Sequence, residues 1–357
     1  MLVIFALRLA GDGRGRLRTG AEGSARCDAA RVQPVTWPAL DELSLLREMR
    51  PVVDGLLERH LAAAKEWFPH ELVPWSRGRD FEPGYEWDPH EFPLPDAVRS
   101  ALVVNLLTED NLPYYFQTID RVLAHDGYRE WSRRWTAEEM RHAMVIRDYL
   151  TVTRAIDLRA LERDRMVQVT RAQTPQPPTV PDMFVYLCLQ ELATRISHRN
   201  TGKVVPDQAG YDVMARVAAD ENLHYLFYRD LTSAALEVDP STMLPAIERQ
   251  VTGFEMPGTG IPGFTAHAVA IARSGIYNLS IHHDHIVCPV VLRHWRVDDL
   301  DGLSPEAERA REKLHRTIDR IEQVGRRQAE RLARRAERAG GEPGEPHGAD
   351  EGAFARS

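Results

Sequence analysis

Apolar side chains recur three and four positions apart over most of the stretch from about residue 40 to residue 338, and strand-like alternation is scarce. That period lays apolar atoms along one face of an α-helix. Pro- and Gly-containing breaks, such as PTVPDM before residue 184 and MPGTGIPG near residue 260, separate one helix from the next. The pattern predicts helices at about 40–65, 95–124, 129–156, 158–171, 181–202, 207–236, 241–252, 263–276, 278–290 and 304–338, so the fold class is all-α. Pro69, Pro74, Pro83, Pro89, Pro93 and Pro95 make 68–95 an irregular connection laid over the helical body. Pro113, about four residues beyond Glu109, removes one backbone hydrogen bond and either bends or ends the helix that contains it. Residues 1–37 lack sustained periodicity and 339–357 are of low complexity. Both are expected to be disordered, an N-terminal extension and a C-terminal tail around one domain at 38–338.

Composition narrows the picture without setting a function. A chain of 357 residues buries a sizeable core without disulfides, and its net charge of -8 argues against nucleic acid as a partner. Cys27, Cys188 and Cys288 are odd in number and far apart, which fits a reducing, cytoplasmic setting. The opening MLVIFALRLA has no basic segment before it and is discounted as a signal peptide. No stretch reaches the roughly 18 uninterrupted apolar residues of a membrane helix, so no membrane span is expected and a lipid substrate would arrive in soluble form.

The chemistry is carried by Glu-x-x-His, whose side chains share one helix face and can grip metal. With 28 Glu and 14 His in the chain, chance alone supplies roughly one match. There are three: Glu139/His142 in TAEEMRH, Glu221/His224 in AADENLH and Glu312/His315 in REKLH. The third lies in a strongly charged helix with no carboxylate-bearing partner helix and reads as a solvated face. The first two are paired with further helical acids, because Glu109 lies 30 residues before Glu139 and Glu191 lies 30 before Glu221. A duplicated layout of this kind is what a four-helix bundle needs to set four carboxylates and two imidazoles around two iron ions. Carboxylates bridge hard cations and imidazole completes each sphere, while the cations relieve the repulsion among four buried acids. Taken singly, each of these residues has a plainer reading as a solvated acid or a hydrogen-bonded histidine.

At these positions the chain resembles the soluble acyl-acyl-carrier-protein desaturases, across roughly residues 40 to 300 and through TEDNLP, RWTAEEMRH, LQELATRISHRNTG, AADENLH and RHWRV. The resemblance implies a ferritin-like helical bundle with a four-helix di-iron core and additional helices. In it, Glu109 and Glu191 are terminal ligands, Glu139 and Glu221 are bridges, and His142 and His224 give one nitrogen to each iron. It further implies Thr194 beside an oxygen-binding face, and Asp220 with Trp67 as the pair linking a ligand histidine to the surface for electron transfer. Their plainer readings are a hydroxyl bonded to its own helix, a solvated acid and a packed aromatic. Met140, Leu223 and Tyr225 stand where plant members have polar or charged residues, which points to an actinobacterial branch.

The implied activity is oxygen-dependent desaturation of a fatty acyl chain on acyl carrier protein, with two Fe ions, O2 as co-substrate and a ferredoxin-type electron donor. A homodimer is expected. The same ligands also serve a hydroxylase or an N-oxygenase, and a catalytically inactive metal-binding relative would keep them. Tyr115, Phe116, Ile119 and Met144 are candidate liners of an acyl tunnel, with core packing as the alternative for each. Arg133, Arg134 and Arg326–Arg335 are candidates for receiving the acidic carrier. His282, His283 and His285 read as clustered surface histidines.

Overall fold

The computed structural model describes residues 40–123, 126–171 and 174–340. The expectations for 1–37 and for most of 339–357, and Cys27, fall outside the described residues. The described chain is helical with irregular connections: α1 (Leu40–Glu48), α2 (Arg50–Ala63), α3 (Asp96–Glu109), α4 (Leu112–Val122), α5 (Asp126–Thr153), α6 (Leu158–Arg171), α7 (Val180–Val204), α8 (Gln208–Val238), α9 (Pro240–Gly253), α10 (Phe264–Arg273), α11 (Leu279–His282) and α12 (Pro305–Gly340). The chain leaves α11 directly into a π-helical stretch, His283–His294.

The starts of the long helices are written in short-range chemistry. Thr179, Asp207 and Asp239 each place a side-chain oxygen on a free amide of the first turn of α7, α8 and α9. Pro181 and Pro240 stand in first turns, where the missing amide hydrogen costs nothing. Pro113 does the same for α4, so the helix expected over 95–124 ends at Glu109 and restarts at Leu112. The proline opens a new helix instead of bending an old one. Segment 68–95 is irregular as expected, apart from single turns at Pro69–Leu72 and Trp75–Arg77.

Helices α3, α5, α8 and α7 close a ring in which each packs on the next, most extensively α7 on α8. Helix α2 lies over α5 and α8, α10 covers α3, α9 covers α7, and α12 packs on α9, on α11 and on the π-helical stretch. Two large apolar clusters fill the bundle, and a small third one, Ala101, Ile271 and Ile276, lies between α3 and α10. Of the large two, one holds Leu46, Trp131, Phe184 and Phe227, and the other holds Leu102, Leu106, Val145, Tyr149 and Met214. Along α5 the first cluster takes Trp131 and Trp135 and the second takes Val145 to Leu150; along α8 the order reverses. Between them lies a polar layer.

Candidate metal centre

That layer holds all six residues singled out as ligands. Glu109 closes α3, and Glu139, Glu191 and Glu221 sit within α5, α7 and α8, with His142 and His224 one turn beyond the two motif glutamates. All six are buried. One ligand atom each from Glu109, Glu139, His142 and Glu221 lie within 4.8 Å of one another, as do one each from Glu139, Glu191, Glu221 and His224. Glu139 and Glu221 belong to both sets, so two adjoining sites share two carboxylates.

The imidazoles face inward through Nδ1. His142 Nδ1 is 3.2 Å from Glu139 Oε2 and 3.4 Å from Glu221 Oε1, while His224 Nδ1 is 2.8 Å from Glu139 Oε1 and 3.6 Å from Glu191 Oε2. Yet Glu139 Oε1, Glu191 Oε2 and His224 Nδ1 are buried without a hydrogen bond of sound geometry. A buried polar atom left unpaired costs about 1–3 kcal/mol, and here three converge on one point. A pair of divalent cations between these oxygens and nitrogens would satisfy them together, and the donor set is one that imidazole- and carboxylate-binding metals accept.

Charge within the layer is unevenly held. Burial, then repulsion from Glu139, pushes the Glu109 carboxyl up to about 8, and burial with Glu221 lifts Glu191 well above the usual carboxylate range. Burial also disfavours the ionised forms of Glu221 and Glu139, but the surrounding histidines outweigh it and hold both below that range. Against the same desolvation, the carboxylates, Glu139 first, raise His142 and His224 well above the ordinary histidine value.

Trp67 and Asp220 stand directly behind His142. Trp67 Nε1 donates to Asp220 Oδ2 at 2.8 Å, and that oxygen is 3.5 Å from His142 Nε2. Arg141 also donates to Oδ2, at 3.2 Å, Arg216 pairs with Oδ1, and the Arg141 guanidinium lies 4.7 Å over the Trp67 ring. Thr194 Oγ1 lies 2.9 Å from Gln190 O, 3.0 Å from Glu191 O and 3.3 Å from Glu221 Oε2. Its proton can therefore serve its own helix or the centre.

Four participants escaped the sequence reading. Trp135 Nε1 donates to Glu191 Oε1 at 3.1 Å. His198 Nε2 is 3.4 Å from Glu109 Oε1 and 3.6 Å from Glu221 Oε1, and His198 is raised to about 9 by these carboxylates against the cost of burial. Its position two turns after Glu191 on α7 was a usable signal. Glu138 Oε2 is 2.9 Å from His224 Nε2 and 2.9 Å from His60 Nε2. Superposing the two motifs reveals Glu138, because an acid precedes the glutamate in both Glu138-Glu139 and Asp220-Glu221. Nothing local marks His60.

The control motif is where it was expected, with His315 paired to Asp298 at the surface and Glu312 exposed. The reading of His282 as a surface histidine is corrected. It is 1% exposed, bonded through Nδ1 to Tyr277 Oη at 2.9 Å and stacked on Phe254, because that face of the helix turns into the core.

Two cavities meet beside the layer at Thr108, Glu109, Thr194 and Pro257. Counting their open mouths, they enclose about 620 Å³ and about 820 Å³. The first runs between α4 and α7 along Tyr115, Ile119, Met183 and Leu187, and the second runs under α10 along Phe264, Ala268 and Ile271. Tyr115 and Ile119 are thus liners, whereas Phe116 is not, and Met144 is 51% exposed on the outer face of α5.

A closed four-helix ring with two adjoining carboxylate–histidine sets in its buried layer defines a helical-bundle protein whose side chains could hold a pair of metal ions. The chain belongs to the fatty acid desaturase family, whose profile, described as "Fatty acid desaturase", matches residues 41–341. It is 41% identical over 313 residues to the Mycobacterium tuberculosis protein named "Putative acyl-[acyl-carrier-protein] desaturase DesA1", covering 83% of this chain and 92% of that one. It is 31% identical over 340 residues to the chloroplastic acyl-[acyl-carrier-protein] desaturase 7 of Oryza sativa subsp. indica, covering 86% and 82% respectively. The X-ray structure of DesA2 from Mycobacterium tuberculosis H37Rv superposes with a TM-score of 0.60 at 25% identity, over 75% of this chain and 99% of that one. No described helix is long and apolar enough to cross a membrane.

Proposed function

We propose that this protein is a di-iron oxidoreductase that introduces a double bond into a fatty acyl chain carried on acyl carrier protein, using O2 and electrons from a ferredoxin-type donor. The observation that carries the reading is the pair of ligand sets sharing Glu139 and Glu221 at the junction of two largely apolar cavities. The names of the mycobacterial and rice relatives supply the substrate class.

In this reading Glu109 and His142 would help hold one iron and Glu191 and His224 the other, with Glu139 and Glu221 available to both. The iron pair, when bound, supplies the oxygen activation needed to take two hydrogens from adjacent methylenes. The protein's own part is placement. The cavity walls exclude water and hold the acyl chain past Glu109 and Thr194, so the position of the double bond is set by how far the chain reaches. The Thr194 hydroxyl, within reach of Glu221 Oε2, can pass a proton at the face where the chain lies. Trp67, at 7% exposure, joins the surface to His142 through Asp220 for electron delivery. Arginine-bearing surface such as that around Arg133 receives the acidic carrier. The same reading carries a cytoplasmic homodimer.

The test incubates purified protein with acyl carrier protein bearing chains of different lengths, ferredoxin, its reductase and O2, and reads products by mass spectrometry. Loss of two hydrogens from one chain length supports desaturation. Gain of one oxygen would make it a hydroxylase, and no product from iron-loaded protein would mark an inactive relative.

A further inference from the structure

Two buried acids back the two histidines, and their surroundings differ. Asp220 leads outward to Trp67, Arg141 and Arg216. Glu138 joins a second buried histidine on one side and the half-exposed Arg134 on the other. Its Oε2 sits at 2.9 Å from both His224 Nε2 and His60 Nε2, and its Oε1 is 2.6 Å from Arg134 Nε. Behind it, His60 is buried, stands edge-on to Trp131 at 5.0 Å and stacks with His224 at 5.8 Å. Trp131 is in turn stacked on Phe227 at 3.6 Å and donates to Tyr228 Oη at 3.0 Å, so the wall behind His60 is aromatic.

A carboxylate only accepts hydrogen bonds, so both imidazole Nε2 atoms must carry a proton to bond one oxygen. With Nε2–H committed to Glu138, a neutral His224 keeps its lone pair on Nδ1, the atom facing Glu139, Glu191 and Glu221. That is the tautomer a metal ion needs, and a carboxylate behind a ligand imidazole strengthens its donor nitrogen. One atom each from His60, Glu138 and His224 would also come within reach of a cation. However, 2.9 Å is a hydrogen-bond spacing, and a metal would draw such atoms to about 2.0–2.2 Å of itself.

We infer that Glu138, clamped by His60 and Arg134, is a positioning residue that fixes the tautomer and orientation of His224, and so sets metal affinity at the Glu191/His224 site and not at its neighbour. The inference rests on the two-metal reading above.

The test titrates metal-free protein with cobalt(II), follows the visible absorption of the bound ion, and checks each metal-free variant by far-ultraviolet circular dichroism. Wild-type protein takes up two equivalents. Glu138→Gln keeps the shape but loses the charge, and should bind the first equivalent as wild type does and the second about 10–100-fold more weakly. His60→Gln, which frees Glu138 to move, should weaken the same equivalent by a smaller factor, and it decides the matter if Glu138→Gln fails to fold. Unchanged affinities and spectra in the folded variants overturn the inference, as does equal weakening of both equivalents. A third wild-type equivalent lost in His60→Gln would make these residues a metal site instead. Wild-type uptake below two equivalents would overturn the two-metal reading itself, and this inference with it.

Discussion

Glu109 and His198 face each other across the metal layer, and in the metal-free protein both favour the protonated form. For Glu109 the folded value of about 8 stands above its ordinary 4.5, so its stabilising contribution is full below pH 4.5 and is lost as pH rises toward 8. For His198 the loss runs from 6.5 to about 9. Both slopes have the same sign. Protein stripped by a chelator should therefore melt at a lower temperature at about pH 8.5 than at about pH 6. Two equivalents of metal should remove the difference by displacing the protons. A melting temperature that rises over this range in chelator would show that the layer does not hold protons in place of metal. Trp67 offers a second residue-level test. Trp67→Phe keeps an aromatic ring but loses the indole N–H that bonds Asp220 and some buried packing, so bound metal should stay, stability should fall by about 1–3 kcal/mol, and reduction by ferredoxin should slow. Stopped-flow absorbance reads the last effect, and unchanged reduction would exclude Trp67 from the electron path.

At the level of elements, the junction of α7 and α8 sets the register of the layer. A Cβ on Gly210 would come within 2.5 Å of both Tyr149 Oη and Val205 Cγ1, so α8 starts where only glycine lets it approach α5. Gly210→Ala should cost about 1–3 kcal/mol by overpacking, and Thr179→Ala about 1 kcal/mol by loss of the α7 cap, both readable in urea denaturation. Helix spans were largely legible, because the 3.6-residue period and the Pro and Gly breaks are local signals: 158–171 was placed to the residue, and α7, α8 and α9 within two. Pro113 was not decidable, since a bent helix and a new first turn both accommodate a missing amide hydrogen. The six clustered acids and histidines were legible because the duplicated spacing states a geometry. Glu138 had only the weak signal of an acid preceding the glutamate in both motifs, and its partner His60, 78 residues away, had none.

Over the described molecule, the apolar clusters and the outer helices surround a buried layer that gathers the six ligand candidates with Glu138, Asp220, His60 and His198 behind and between them. A bundle with only hydrophobic residues there would be easier to fold, since buried charges cost more than they return unless paired. The arrangement makes physical sense as a cradle for cations, and the proposed acyl chemistry would need that cradle filled. The most direct measurement is iron per folded chain, by elemental analysis of protein reconstituted with iron(II) without oxygen and freed of excess, for wild type and for Glu139→Ala. Two irons in the wild type and fewer than two in the variant are predicted, because Glu139 belongs to both ligand sets. Two irons retained by Glu139→Ala, or fewer than two in the wild type, would contradict the account.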